Sequence, residues 1–146
     1  MNLQQFFPYR LARLAEAVSQ ATAQVYSVRF DLTRDEWRVL AALAGGGDVK
    51  TAAVLDSSSL EKMRVSRALA RLERDGLVLR SPDPEDGRGY LVRLLPPGQA
   101  MYRKIVPMVL AREEFLLAEL KPAERAALDK ALDHLLQRAQ QLNRQG

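Results

Sequence analysis

Apolar residues recur every three or four positions along most of this chain, the period of helices that bury one face. Leu11, Leu14, Val18, Thr22 and Val25 carry that period from a start at Pro8 and predict a first helix ending near Phe30. Thr33-Arg34-Asp35-Glu36 has the capping-box pattern, in which Thr and Glu side chains accept from each other's backbone amides. The helix it opens has an apolar face at Trp37, Leu40, Ala41 and Ala44. Gly45-Gly46-Gly47 ends it, since glycine loses the most conformational freedom in a helix. From Val49 to Leu55 the pattern predicts a brief extended entry and a short helix through Ala52 and Val54.

Ser58 and Glu61 repeat the capping-box spacing and predict a helix from there to Asp75, with Gly76 as its stop. The period then shortens. Leu77-Val78-Leu79 and Tyr90 to Leu94 are strand-like runs on either side of a turn containing Pro82 and Pro84. Pro96-Pro97-Gly98 closes that hairpin. A long helix is predicted from Gln99 to Leu120, interrupted or bent at Pro107. Pro122 starts the last helix, where Leu128, Leu132, Leu135, Ala139 and Leu142 have the alternating spacing of a helix–helix seam. The fold class is mainly α with a small β-hairpin, in one domain over residues 1–146. A helix-helix-hairpin module at 31–98 lies between outer helical pieces at 1–30 and 99–146.

Composition narrows the chemistry. The 146 residues carry 22 Lys and Arg against 18 Asp and Glu, a net charge of +4 that suits an anionic partner. Cysteine is absent, which removes disulfides, thiolate metal sites and thiol redox sensing. His134 is the single histidine, so a histidine zinc cluster is excluded. The start Met-Asn-Leu-Gln-Gln-Phe-Phe-Pro lacks the pattern of a secretory signal. The longest apolar stretch, near Ile105 to Ala111, is too short to span a membrane, and the expected location is the cytoplasm. No nucleophile–histidine pair, P-loop or metal cluster suggests an enzyme.

The helix after Ser58 carries the strongest functional pattern. At about 100° per residue, Val65, Ala68, Leu69 and Leu72 share one side and form its core face. Met63, Ser66, Arg67, Ala70 and Arg74 fall opposite, flanked by Ser59, Leu60 and Arg71. Small, hydroxylic and guanidinium side chains on one face suit the DNA major groove, where arginine reads guanine and serine hydroxyls donate or accept. The N-terminal half of a reading helix points into the groove. Ser59, Met63, Ser66 and Arg67 are therefore expected near bases, and Lys62, Arg64, Arg71 and Arg74 near phosphates. The competing reading is an ordinary solvated arginine face. The hairpin favours DNA, because Arg88 stands at its tip with Asp86 two residues before it, placed to orient the guanidinium toward a narrow minor groove.

These residues resemble the multiple-antibiotic-resistance-regulator (MarR) family. Leu32-Thr33 with Trp37-Arg38-Val39-Leu40 is similar to that family's second helix. Ser66-Arg67 with Leu72-Glu73-Arg74-Asp75-Gly76-Leu77-Val78 resembles its recognition helix and first wing strand. Arg80 and Pro82-Asp83-Pro84-Glu85-Asp86-Gly87-Arg88 resemble its wing. The resemblance covers about Leu32 to Gly98. It implies a winged helix-turn-helix homodimer, paired through its first and last helices, that binds pseudo-palindromic double-stranded DNA and usually represses transcription. It also implies that a small, often aromatic, anionic effector can release the DNA; no other cofactor is expected.

Two further expectations concern assembly and effector. The apolar stripes of the outer helices exceed what one small domain buries. A twofold dimer would cover them and set two reading helices about 34 Å apart. For an aromatic carboxylate, Tyr9, Arg10 and Arg13 of the first helix with Trp37 and Arg38 of the second would supply a ring wall and guanidinium groups. The alternative function is a winged helix that docks a protein and binds no specific DNA.

Overall fold

The computed structural model describes residues 1–146. Pro8 stands in the first turn of helix α1 (Phe7–Ala23), where its missing N–H leaves no helical bond unmade. The helix ends before the expected Phe30. Tyr26 turns into the core, its amide bonds the Ala23 carbonyl, and its own carbonyl accepts from Phe30 and Leu32. Asp31 then adopts a left-handed conformation (φ 52°) that reverses the chain.

Helix α2 (Arg34–Ala42) has the expected capping box. Thr33 Oγ1 accepts from the Glu36 amide at 3.1 Å, and Glu36 Oε1 accepts from the Thr33 amide at 3.0 Å. After the glycine run comes strand β1 (Val49–Lys50), then helix α3 (Thr51–Ser58).

The second capping box does not form. Ser58 belongs to the last turn of α3, and its hydroxyl accepts from the Leu60 amide at 3.3 Å. Ser59 is left-handed (φ 57°), and helix α4 (Lys62–Arg74) begins only after Glu61. Leu60 therefore lies before the helix and is buried, not on the flank of its exposed face. Gly76 (φ 73°) closes α4 as expected, with the Leu77 amide donating to Leu72 O and the Gly76 amide to Glu73 O.

The hairpin consists of β2 (Val78–Asp83) and β3 (Asp86–Leu94). It is part of a three-stranded antiparallel sheet in the order β1-β3-β2, because Val49 and Lys50 pair with Val92 and Leu91. Helix α5 (Pro96–Leu117) takes Pro96-Pro97-Gly98 as its first turn and runs through Pro107 without interruption. Helix α6 spans Pro122–Gln145.

The chain forms two compact units, Met1–Val109 and Leu110–Gly146. In the first, Leu40, Leu43, Val54, Val65, Leu69, Leu72, Val92 and Ile105 are fully buried and join α2, α3, α4, the sheet and α5 in one core. In the second, Arg125 donates to Leu117 O and pairs with Glu114 at 2.9 Å, which satisfies a carbonyl at the end of α5. No residue of α6 is buried.

Candidate nucleic-acid interface

The burial of α4 divides as its periodicity requires. Val65, Ala68, Leu69 and Leu72 are buried, while Lys62, Met63, Ser66, Arg67, Ala70 and Arg74 are exposed. Ser59 is exposed on the turn that enters the helix. Met63 is 65% exposed, too much for a core methionine, and offers an apolar contact at the helix's N-terminal end.

The basic residues of α4 divide into two groups. Arg64 forms a bidentate pair with Asp35, Nε to Oδ2 at 2.9 Å and Nη2 to Oδ1 at 2.6 Å. Hydrogen bonding from Arg64 holds the Asp35 carboxyl below its ordinary value. Arg71 is turned toward the start of α2, bonding Glu36 at 3.2 Å and the carboxylate and carbonyl of Asp31 at 2.9 and 3.2 Å. The nearby Glu36 charge is the main reason its guanidinium pKa is raised. Glu36 thus caps α2 with one oxygen and binds Arg71 with the other. Arg74 lies 3.7 Å from Asp75. Lys62 and Arg67 take part in none of the ion pairs. Of the expected phosphate contacts, Arg64 and Arg71 are therefore already bound to carboxylates. Sequence reading did not find the acids Asp31, Asp35 and Glu36 as their partners, since they lie 29 to 40 positions away.

At the wing, Asp83 Oδ1 accepts from the Glu85 amide at 2.9 Å, and Asp86 Oδ1 accepts from the Arg88 amide at 3.1 Å. The sequence predicts that Asp86 orients the Arg88 guanidinium; instead it orders the backbone at Arg88 through that amide. The reason is reach: a side chain so short, two residues upstream, meets the amide first. Arg88 is left exposed. Lys50 of β1 pairs with Glu85 at 3.3 Å and anchors the tip from the other side.

The expected effector residues are not brought together in the chain. Arg13 lies over the Tyr9 ring at 5.9 Å and donates to Gln4, and Arg10 is exposed beside them. Tyr9 is separated from Ala23 by fourteen residues of helix, about 21 Å. Trp37 lies beyond that end, stacked between Tyr26 at 5.4 Å and Tyr102 at 5.7 Å. Burial raises the Tyr26 hydroxyl pKa. Trp37 and the exposed Arg38 border an open cleft of about 490 Å³ with Ala41, Ala42, Ser57 and Ser58. The sequence gives no local sign of Tyr26 and Tyr102, because the stack joins three separate segments.

No helix of the chain is long and apolar enough to cross a membrane. Residues 30–89, which hold α2 to the start of β3, match the family model described as MarR family. The transcriptional regulator HosA of Escherichia coli O111:H- is 28% identical over 113 residues, 77% of this chain and 84% of the relative. A MarR/EmrR family transcriptional regulator from Acinetobacter sp. ADP1 is 26% identical with a TM-score of 0.86, over 97% of this chain and 99% of that one. Bordetella bronchiseptica BpsR, whose DNA binding is regulated by 6-hydroxynicotinic acid, is 26% identical with a TM-score of 0.82, over 92% and 96%. These relatives are regulators, not enzymes.

Proposed function

We propose that the chain is a MarR-family winged-helix transcriptional regulator, a cytoplasmic, ligand-responsive repressor that binds a pseudo-palindromic operator as a homodimer. One observation carries the DNA-reading part. An exposed helix face presents Lys62, Met63, Ser66 and Arg67, its two cations in none of the ion pairs, beside a wing whose exposed Arg88 is held by an ordered turn. In this reading Ser59, Met63, Ser66 and Arg67 approach base edges, Lys62 and Arg74 approach phosphates, and Arg88 enters the minor groove.

Dimerisation is supported by α6. A helix of 24 residues with no buried position, and with Leu132, Leu135, Leu136 and Leu142 each at least 41% exposed, has an apolar face awaiting a partner. Leu11 and Leu14 of α1 are also exposed. The outer segments 1–30 and 99–146 would then form the dimer, and 31–98 the reading module. For the effector, the cleft beside Trp37 and Arg38 offers an aromatic edge, a guanidinium and serine hydroxyls, a set that suits a small aromatic anion.

The test is selection of random duplex DNA by the purified protein at two salt concentrations, with sedimentation to give its mass. Enrichment of a twofold-symmetric site by a dimer supports the reading. Only weak, salt-sensitive binding without enrichment, persisting after refolding to strip bound ligand, overturns it in favour of a protein-docking winged helix.

A further inference from the structure

Glu73, Arg80 and Tyr90 form a line of contacts from the reading helix into the wing. Glu73, in the last turn of α4, accepts three times from Arg80 of β2. Its Oε2 takes the Arg80 amide at 3.2 Å, and its Oε1 takes Nε at 3.3 Å and Nη2 at 3.0 Å. The same guanidinium lies over the Tyr90 ring, 5.7 Å from its centre. Arg80 opposes Val92 and Pro82 opposes Tyr90, so Arg80 and Tyr90 are diagonal neighbours on one face of the hairpin. The period of two puts Arg88 on that face of β3 as well. With Lys62 and Ser66 of α4, Arg80, Arg88 and Tyr90 line a crevice of about 390 Å³ between helix and wing.

We propose that Glu73, Arg80 and Tyr90 are positioning residues that set the separation of α4 from the wing tip, and so the preference of Arg88 for the DNA flanking the site read by α4. The inference rests on the DNA-reading function above. A forked guanidinium held at two nitrogens and stacked on a ring fixes direction as well as distance. Arg88 stands four residues from Val92, the strand partner of Arg80, about 13 Å beyond the level where Glu73 holds the hairpin. At that reach a pivot of about 10° moves the tip by about 2 Å, enough to miss a narrow groove. A partly exposed ion pair of this kind adds only modestly to overall stability. Its main effect here is on where Arg88 goes.

The experiment compares wild type, Arg80→Lys, Glu73→Gln and Tyr90→Leu on duplexes that carry the site recovered from random DNA, with either A·T or G·C flanks under the wing. The readout is the ratio of affinities for the two flanks, which cancels the uniform effect of a changed net charge. Each variant is expected to cut that ratio by about threefold or more while its melting temperature stays near wild type. Combining Glu73→Gln with Arg80→Lys is expected to cut it no further than either alone. Tyr90→Leu leaves the ion pair in place, so it decides the matter even if an ion-pair variant folds poorly. An unchanged ratio in the folded variants overturns the inference and spares the DNA reading. A wild-type protein without flank preference, or one whose preference survives Arg88→Ala, overturns the wing reading and the inference with it.

Discussion

Arg64 and Asp35 face each other through two parallel hydrogen bonds, 2.9 and 2.6 Å long, that join the first turn of α4 to the first turn of α2. The acid also sits where the N-terminal end of α2 favours negative charge. Arg71 repeats the arrangement about two turns further along nearly the same face, on Glu36 and Asp31. Two basic residues of α4 therefore tie it to α2, Arg64 with half of its side chain still exposed and Arg71 more covered.

Acid should expose this pairing. Hydrogen bonds from Arg64 and Arg80 lower the folded pKa values of Asp35 and Glu73 below the ordinary 3.8 and 4.5. A depressed carboxyl contributes stability that is present above its unfolded pKa and is lost as pH falls through the folded one. Asp35→Asn should thus be less stable than wild type by a constant margin above about pH 5, and the margin should vanish in stronger acid. Urea unfolding of both proteins across that range measures it. A margin that grows as pH falls would contradict the pairing.

Arg67, which forms none of the ion pairs, should act on specificity. Arg67→Ala is expected to cost about 1–3 kcal/mol of DNA binding and to relax preference at one base position. Repeating the duplex selection with the variant shows whether one position, or none, loses its preference.

The salt dependence of binding should separate the two groups of cations. Each lost phosphate contact lowers the slope of log affinity against log salt by about 0.9. Lys62→Ala should show that loss. Arg64→Ala and Arg71→Ala should leave the slope close to wild type, because their charges are already matched by Asp35, Glu36 and Asp31. Titrations at several salt concentrations decide the point, and a full unit lost in Arg64→Ala would return that residue to the phosphate group.

What the sequence revealed depended on range. The Thr33–Glu36 cap and the Gly76 stop were legible because each is made within six residues. Ser58 and Glu61 show the same spacing as Thr33 and Glu36 but no cap, since Leu60 between them is drawn into the core and Ser59 must turn left-handed to allow it. That outcome depends on tertiary burial, which a four-residue pattern does not carry. The exposed face of α4 was legible from its period. The Arg64 and Arg71 pairs and the Tyr26–Trp37–Tyr102 stack were not, because each joins segments that only the fold brings together.

Gly98 illustrates a constraint of the same tertiary kind. The sequence presents it as a turn residue after two prolines, yet it is buried in the first turn of α5. A Cβ there would lie 2.2 Å from the backbone oxygen of Leu77 and 3.1 Å from its carbonyl carbon. That oxygen cannot easily retreat, because it accepts from the Leu95 amide at 2.9 Å and so ties the entry of β2 to the entry of α5. Gly98→Ala must therefore push α5 off the sheet or break that bond, and should destabilise the protein by about 1–3 kcal/mol or more. Gly87→Ala, in the wing with open space around the added methyl group, should change stability by less than about 0.5 kcal/mol. Denaturant unfolding of the two variants beside wild type provides the comparison. Equal stabilities for Gly98→Ala and Gly87→Ala would mean that α5 does not approach Leu77 as closely as the structure requires.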